Sequence, residues 1–255
     1  MWTSSRLPGV TLAAPASLFA PETGPNPGTT QGGHLMSRTT EPGTGTRSVP
    51  PERIDVSFMY AVHDAFQRDL DRLIAMAEAG DVPGPALRAG WDRFSTFVHV
   101  HHTAEDTHLW PVLRDRVADT AVLEQMEDEH NALDGLLDGV EAAINASAPA
   151  EVLAARAAEL AQGLTAHCDH EEELALPLVQ KLLTKKEWDA FGAEQRDKLG
   201  MSGAATFFPW LLDGAEDETR RKVLGVVPPP VRLLYRALWR PRYERAPRWQ
   251  MPASA

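Results

Sequence analysis

Two stretches decide the fold: HHTAEDTHLWPVL (residues 101–113) and HCDHEEELALPLV (residues 167–179) align at an offset of 66. His101 meets His167, Glu105 meets Glu171, Leu109 meets Ala175, Pro111 meets Pro177 and Leu113 meets Val179. Upstream of each, at an offset of 67, His63 meets His130 and Leu70 meets Leu137. The repeated unit is therefore a pair of segments, the first with a lone His and the second with His-x-x-x-Glu. Apolar residues recur at helical spacing in all four segments, and strand signals are scarce. The spacing predicts helices over about 52–78, 86–117, 121–145 and from near 147–151 to 183. The first ends at Gly80, before a breaker at Val82, Pro83, Gly84 and Pro85. The last opens where an N-cap candidate (Ser147), an early proline (Pro149) and an acidic residue (Glu151) coincide. Short connections force neighbours antiparallel, so the expected fold is all-α, an up-down-up-down four-helix bundle with additional C-terminal helices. Thr184 and Glu187 form a capping-box pattern that opens a fifth helix.

Residues i and i+4 of an α-helix lie about 40° apart and one turn up. His101 with Glu105, and His167 with Glu171, thus each present an imidazole and a carboxylate on one face. With those faces inward, the hairpins gather His63, His101, Glu105, His130, His167 and Glu171 at the bundle centre. Mixed nitrogen and oxygen donors suit iron, manganese or zinc rather than calcium. Two carboxylates among four imidazoles match a dinuclear site: each Glu spans both metals, each metal keeps two His, and open positions remain. A lone helical His is more often a surface or hydrogen-bonded residue than a ligand, and a single HxxxE is weak. The duplicated motif with matched prolines is far more specific. Burying four His and two Glu also costs several kcal/mol per uncompensated group, which a cation relieves. A ferritin-like di-iron bundle needs Glu-x-x-His on two helices and lone Glu on the others. Glu127 with His130 is one such pair, but helix one offers no match.

The pattern H…HxxxE…H…HxxxE, with AVHDAFQRDL (61–70) and the LWP after His108, resembles the hemerythrin family in its HHE cation-binding branch over about 51–184. The resemblance implies the same six residues as ligands of two iron ions, oxo- or hydroxo-bridged when oxidised, with zinc or manganese as substitutes. It implies binding of O2, H2O2 or NO, with catalase-like or peroxidase-like turnover as the enzymatic version. A non-catalytic iron or oxygen sensor and a structural metal-binding bundle are the alternatives. Respiratory members carry a second helix-three His where this chain has Asp134, which argues against reversible oxygen carriage.

Other polar residues are expected at the margin. His102, about 100° from His101, is expected off the ligand face, toward solvent or Asp106. His108 lies nearly on the ligand stripe two turns on and reads as a support for the ligands or, as Leu174 at the repeat-equivalent site suggests, a packing residue; His99 and His170 read as surface residues or supports for the ligands. Asp134 and Glu172 are reserve ligands, and Cys168 is a buried, inert thiol. Pro111 and Pro177 should kink their helices six residues after each ligand Glu.

Length and composition set the surroundings. The 255 residues carry a formal net charge of -11, which argues against general nucleic-acid binding. A single Cys excludes a disulfide framework. No apolar run reaches the ~18–20 residues of a membrane span, and the stretch 12–20, broken by Pro15, is a poor signal peptide, so the cytoplasm is the expected location. Residues 1–50 hold seven Pro, seven Gly and fourteen Ser or Thr and read as a disordered tail, with Met36 an alternative start. Residues 51–184 form the bundle and 185–255 a helical extension. In the extension, AATFFPWLL (204–212) should pack on the bundle. Beyond Thr219, nine Arg or Lys face one Glu; Arg232, Arg236 and Arg240 share a stripe opposite Val231, Leu234, Tyr235 and Leu238. That basic helix is expected to dock on the acidic body, with a membrane surface or a partner as the other readings.

Overall fold

The computed structural model describes residues 54–80 and 84–249. The expected tail over 1–50, the start at Met36, the helical onset at Glu52 and Val82 and Pro83 of the breaker lie outside the described residues. Helix α1 spans Ser57–Glu78, α2 Pro85–His108, α3 Trp110–Arg114, α4 Ala121–Asn145 and α5 Ala150–His170. A π-helical turn, Glu171–Ala175, joins α5 to α6, Leu176–Leu182. The extension comprises α7 (Lys185–Leu211), α8 (Asp217–Val226), α9 (Pro229–Leu234), a second π turn (Tyr235–Trp239) and α10 (Arg240–Arg245). No strand occurs among the described residues.

α1 packs against α2 and α5, and α4 against the same two, which closes the four-helix ring expected from the repeat. Both prolines deform their helices, at repeat-equivalent places. Pro111 sits at the start of α3, after a break at Leu109. Pro177 lacks the N–H that the ordinary ladder would use, and the chain absorbs this one turn earlier, where the Leu176 amide reaches back to the Glu171 carbonyl. The helix-four entry differs from expectation. Ser147 does not cap it: with φ of 46° it terminates α4, and Pro149 holds the N-cap position instead. Thr184 does form the capping box, accepting from the Glu187 amide while the Glu187 carboxylate accepts from the Thr184 amide at 2.8 Å.

Two apolar clusters fill the bundle. One contains Phe66, Leu70, Leu73, Trp91, Phe94, Leu160 and Leu164; the other contains Met59, Leu109, Trp110, Leu113, Met126 and Val179. His63, His101, His130 and His167 fall in sequence between members of the two, so the polar layer lies between apolar plugs that keep bulk water out.

The extension covers the first cluster. α7 bends at Gly200, whose φ of 59° is the left-handed conformation that glycine tolerates. Its last turns then lie against α1 and α2. Trp210 wedges among Phe66, Phe97 and Phe207, and its Nε1–H donates to Asp69 Oδ2 at 2.7 Å. Arg68 and Arg72 face the same Asp69 carboxylate. The basic segment does dock on the body, but through Val231, Tyr235, Trp239 and Tyr243 rather than the expected Leu234 and Leu238, which stay exposed at 39% and 52%. The second π turn adds a residue to the helical repeat and rotates the buried stripe onto the aromatics. Few of its charges pair with the body; Arg248 reaches Asp213 at 3.3 Å, while Arg240 pairs with Glu244 of its own helix.

Trp249 closes this docking. A Cβ on Gly90 would lie 0.7 Å from Trp249 Nε1, so the indole rests on bare α2 backbone. Gly90→Ala should expel the ring and lower stability by about 1–3 kcal/mol, the usual cost of overpacking, despite the helix propensity gained by Ala. Chemical denaturation of the two proteins measures it; an unchanged or higher midpoint contradicts the docking.

Candidate metal centre

Six side chains expected at the centre are brought together there. His63, His101, Glu105, His130, His167 and Glu171 are all buried, both carboxylates completely. His63 Nε2 lies 3.3 Å from His101 Nε2 and 3.2 Å from Glu171 Oε2. His130 Nε2 lies 3.1 Å from His167 Nε2. Glu105 stands between these pairs: Oε1 is 3.0 Å from His101 Nε2, and Oε2 is 3.6 Å from His130 Nε2. One carboxylate thus offers an oxygen to each half of the cluster.

The outward nitrogens explain why the inner ones face each other. His63 Nδ1 contacts Glu172 at 3.0 Å, His130 Nδ1 contacts Asp106 at 2.8 Å, and His167 Nδ1 contacts Glu129 at 2.9 Å. A carboxylate only accepts, so each Nδ1 carries a proton, and the Nε2 of each ring is the atom turned inward, free to ligate a metal once it holds no proton of its own. In the His130–His167 pair the two Nε2 atoms face each other at 3.1 Å, a contact that a shared proton or a metal cation between them would satisfy. Metal–nitrogen bonds of about 2.0–2.1 Å place neighbouring ligand nitrogens roughly 3.0–3.4 Å apart, the spacing found here. The carboxylates make the same demand. All four oxygens of Glu105 and Glu171 are buried without an aligned hydrogen bond, as is His101 Nδ1. Orphaned buried carboxylates cost several kcal/mol apiece, and a bound cation removes that cost.

The metal-free cluster distributes protons to lessen the strain. Burial opposes a charge on His63, but Glu171 and Glu172 outweigh it and push its pKa up to about 9. Burial alone would raise Glu171; His63, with help from His101 and His167, instead holds it down to about 2. Glu105 goes the other way, pushed well above the ordinary carboxylate range by burial and by the charges of Glu171 and Asp106. Burial and the neighbouring imidazoles push His101 down to about 3. His63 and Glu171 therefore form a buried ion pair, and Glu105 tends to the neutral acid.

The marginal residues resolve as follows. Asp134 is exposed, and Glu172 supports His63 by its outer nitrogen, so neither reserve ligand faces the inner nitrogens. His170 shares Glu129 with His167, His99 is exposed, and His108 contacts Thr107. Cys168 is buried, with its thiol pushed well up by desolvation first. Glu127 pairs with Arg114, away from the centre. His102 corrects the expectation: it is buried, stacked on His130 with ring centroids 4.2 Å apart, not turned to solvent. Val98, His101, His102 and Glu105 follow i, i+3, i+4, i+7, an inward stripe wide enough for both histidines. That signal was present in the sequence. Glu129 and Asp106 were not recognised as supports for ligands, since an acid beside a His carries no distinctive spacing.

A helical bundle with buried His/Glu groups that fit a metal site defines the class: a metal-binding four-helix bundle protein. Comparison adds the domain: the Hemerythrin HHE cation binding domain matches residues 55–179, from just before α1 into α6. The chain carries a hemerythrin HHE cation-binding domain. No curated protein and no solved structure matches the chain.

Proposed function

We propose that the protein is a cytoplasmic non-haem di-iron protein that binds O2, H2O2 or NO. In this reading His63, His101 and Glu171 would hold one iron and His130 and His167 the other, with Glu105 offering one oxygen to each half. The observation that carries it is the split of the Glu105 oxygens between the two imidazole pairs. Bound ferrous ions would supply electrons and open coordination positions for a small ligand. The chain's part is to fix the donors: Glu172, Asp106 and Glu129 hold the outer imidazole protons, and the apolar clusters on either side exclude water. Peroxide decomposition is the enzymatic form. No helix among the described residues is long and apolar enough to cross a membrane. The test is metal content and optical spectrum of protein from its native host, then oxygen release from peroxide, or nitrite from nitric oxide, by the iron-loaded chain. Two irons per chain and turnover lost in His101→Ala support the reading. Iron uptake without turnover favours a sensor, and a colourless protein loaded with zinc defeats the iron reading.

A further inference from the structure

We propose that His102 is a seventh ligand, completing the metal position held by His130 and His167; this rests on the dinuclear reading above. His102 lies within the bundle, 6% exposed, and ligand atoms of His102, His130 and His167 lie within 4.8 Å of one another. Its ring stacks on His130 at an interplanar angle of 10° and stands edge-on to His167, with centroids 5.1 Å apart; since imidazole lone pairs lie in the ring plane, joint ligation turns His102 out of the stack toward the ion. His63, His130 and His167 are each hydrogen-bonded to a carboxylate, and among the described residues no hydrogen bond ties up a ring nitrogen of His102.

Donor counting points the same way. The His63 half has four grouped donors, His63, His101, Glu105 and Glu171. The other half has two imidazoles and the more distant Glu105 oxygen, and gains a third imidazole only from His102. Asp134, one turn beyond His130 on α4, is exposed and cannot supply that donor. The repeat partner of His102 is Cys168, which is absent from both donor groups. The two positions are therefore chemically unequal: three imidazoles mark one, two imidazoles and two carboxylates the other.

The test is titration of the full metal-free chain with Co2+ against a competing chelator, in wild type, His102→Phe and the control His99→Phe. Phe keeps a stackable ring and removes the donors. Expected is two Co2+ in wild type and control, and in His102→Phe one Co2+ with near wild-type affinity and a second weakened at least ~10-fold. X-ray absorption should count about five imidazoles over two ions in wild type and four over the ions that His102→Phe retains at saturation. Two sites of unchanged affinity and imidazole count in His102→Phe overturn the ligand role and leave the dinuclear reading standing. A wild-type chain that binds fewer than two ions overturns both. Should His102→Phe not fold, His102→Gln is read by the same criteria.

Discussion

Glu105→Gln is expected to reduce metal affinity at both positions by more than ~100-fold while leaving the metal-free protein within about 1 kcal/mol of wild type. Each Glu105 oxygen addresses a different imidazole pair, so one substitution removes an anionic donor from both halves. In the metal-free state Glu105 is biased to the neutral acid by burial and by Glu171, and Gln is its neutral near-isostere. Glu171→Gln should behave oppositely without metal. Glu171 is the charged partner of a protonated His63, and its removal leaves a buried imidazolium with only Glu172 opposite. Breaking a buried pair costs about 3–5 kcal/mol, and the surviving Glu172 contact puts this case near 3. The pH dependence separates the two. The raised His63 pKa contributes stability that is full below its ordinary 6.5 and lost as pH rises through about 9. The depressed Glu171 pKa contributes stability that is full above 4.5 and lost as pH falls through about 2. The deficit of Glu171→Gln should therefore peak between pH 4.5 and 6.5 and shrink on both sides. Urea denaturation of the chelated proteins across pH measures it; equal deficits for both variants would contradict this assignment of charge.

The duplicated His-x-x-x-Glu was legible because a helical repeat fixes which residues share a face, and the ligand face is the one place where six costly polar groups recur in register. The bundle, the four long helices and the Thr184 capping box followed from the same local rules. What escaped depended on contacts between elements. Glu129 and Asp106 acquire meaning only when α4 and α2 are placed beside α5 and each other, and nothing local distinguishes them from surface acids. His102 was misplaced by treating the ligand face as a line when the buried stripe of a bundle helix is at least about 100° wide. The docking face of the basic helix was misread because the π turn at Tyr235–Trp239 inserts a residue that a 3.6-residue period cannot anticipate.

Loading the metal-free protein with two divalent ions should produce the largest stability change available to this chain. Each site at 1,000 times its dissociation constant adds about 4 kcal/mol, so two sites add roughly 8. The gain is that large because the folded metal-free state already gathers the donors, with His130 and His167 nitrogens 3.1 Å apart and the Glu105 and Glu171 oxygens buried without aligned hydrogen bonds, kept in place by α-helices and two apolar clusters. The protons make the effect pH-dependent. A cation can use His63 Nε2 only after the imidazolium loses its proton, and Glu105 only after the acid ionises. Binding should release at least the His63 proton at pH 6, with the raised Glu105 adding to it, and little from His63 above pH 9, so affinity climbs with pH across the range below 9. Indicator-dye titration in weak buffer counts the protons, and thermal unfolding with and without metal measures the stability. Metal uptake with no proton release at pH 6 would mean that His63 is not a ligand, and the cluster would have to hold its cation through the carboxylates and the other imidazoles.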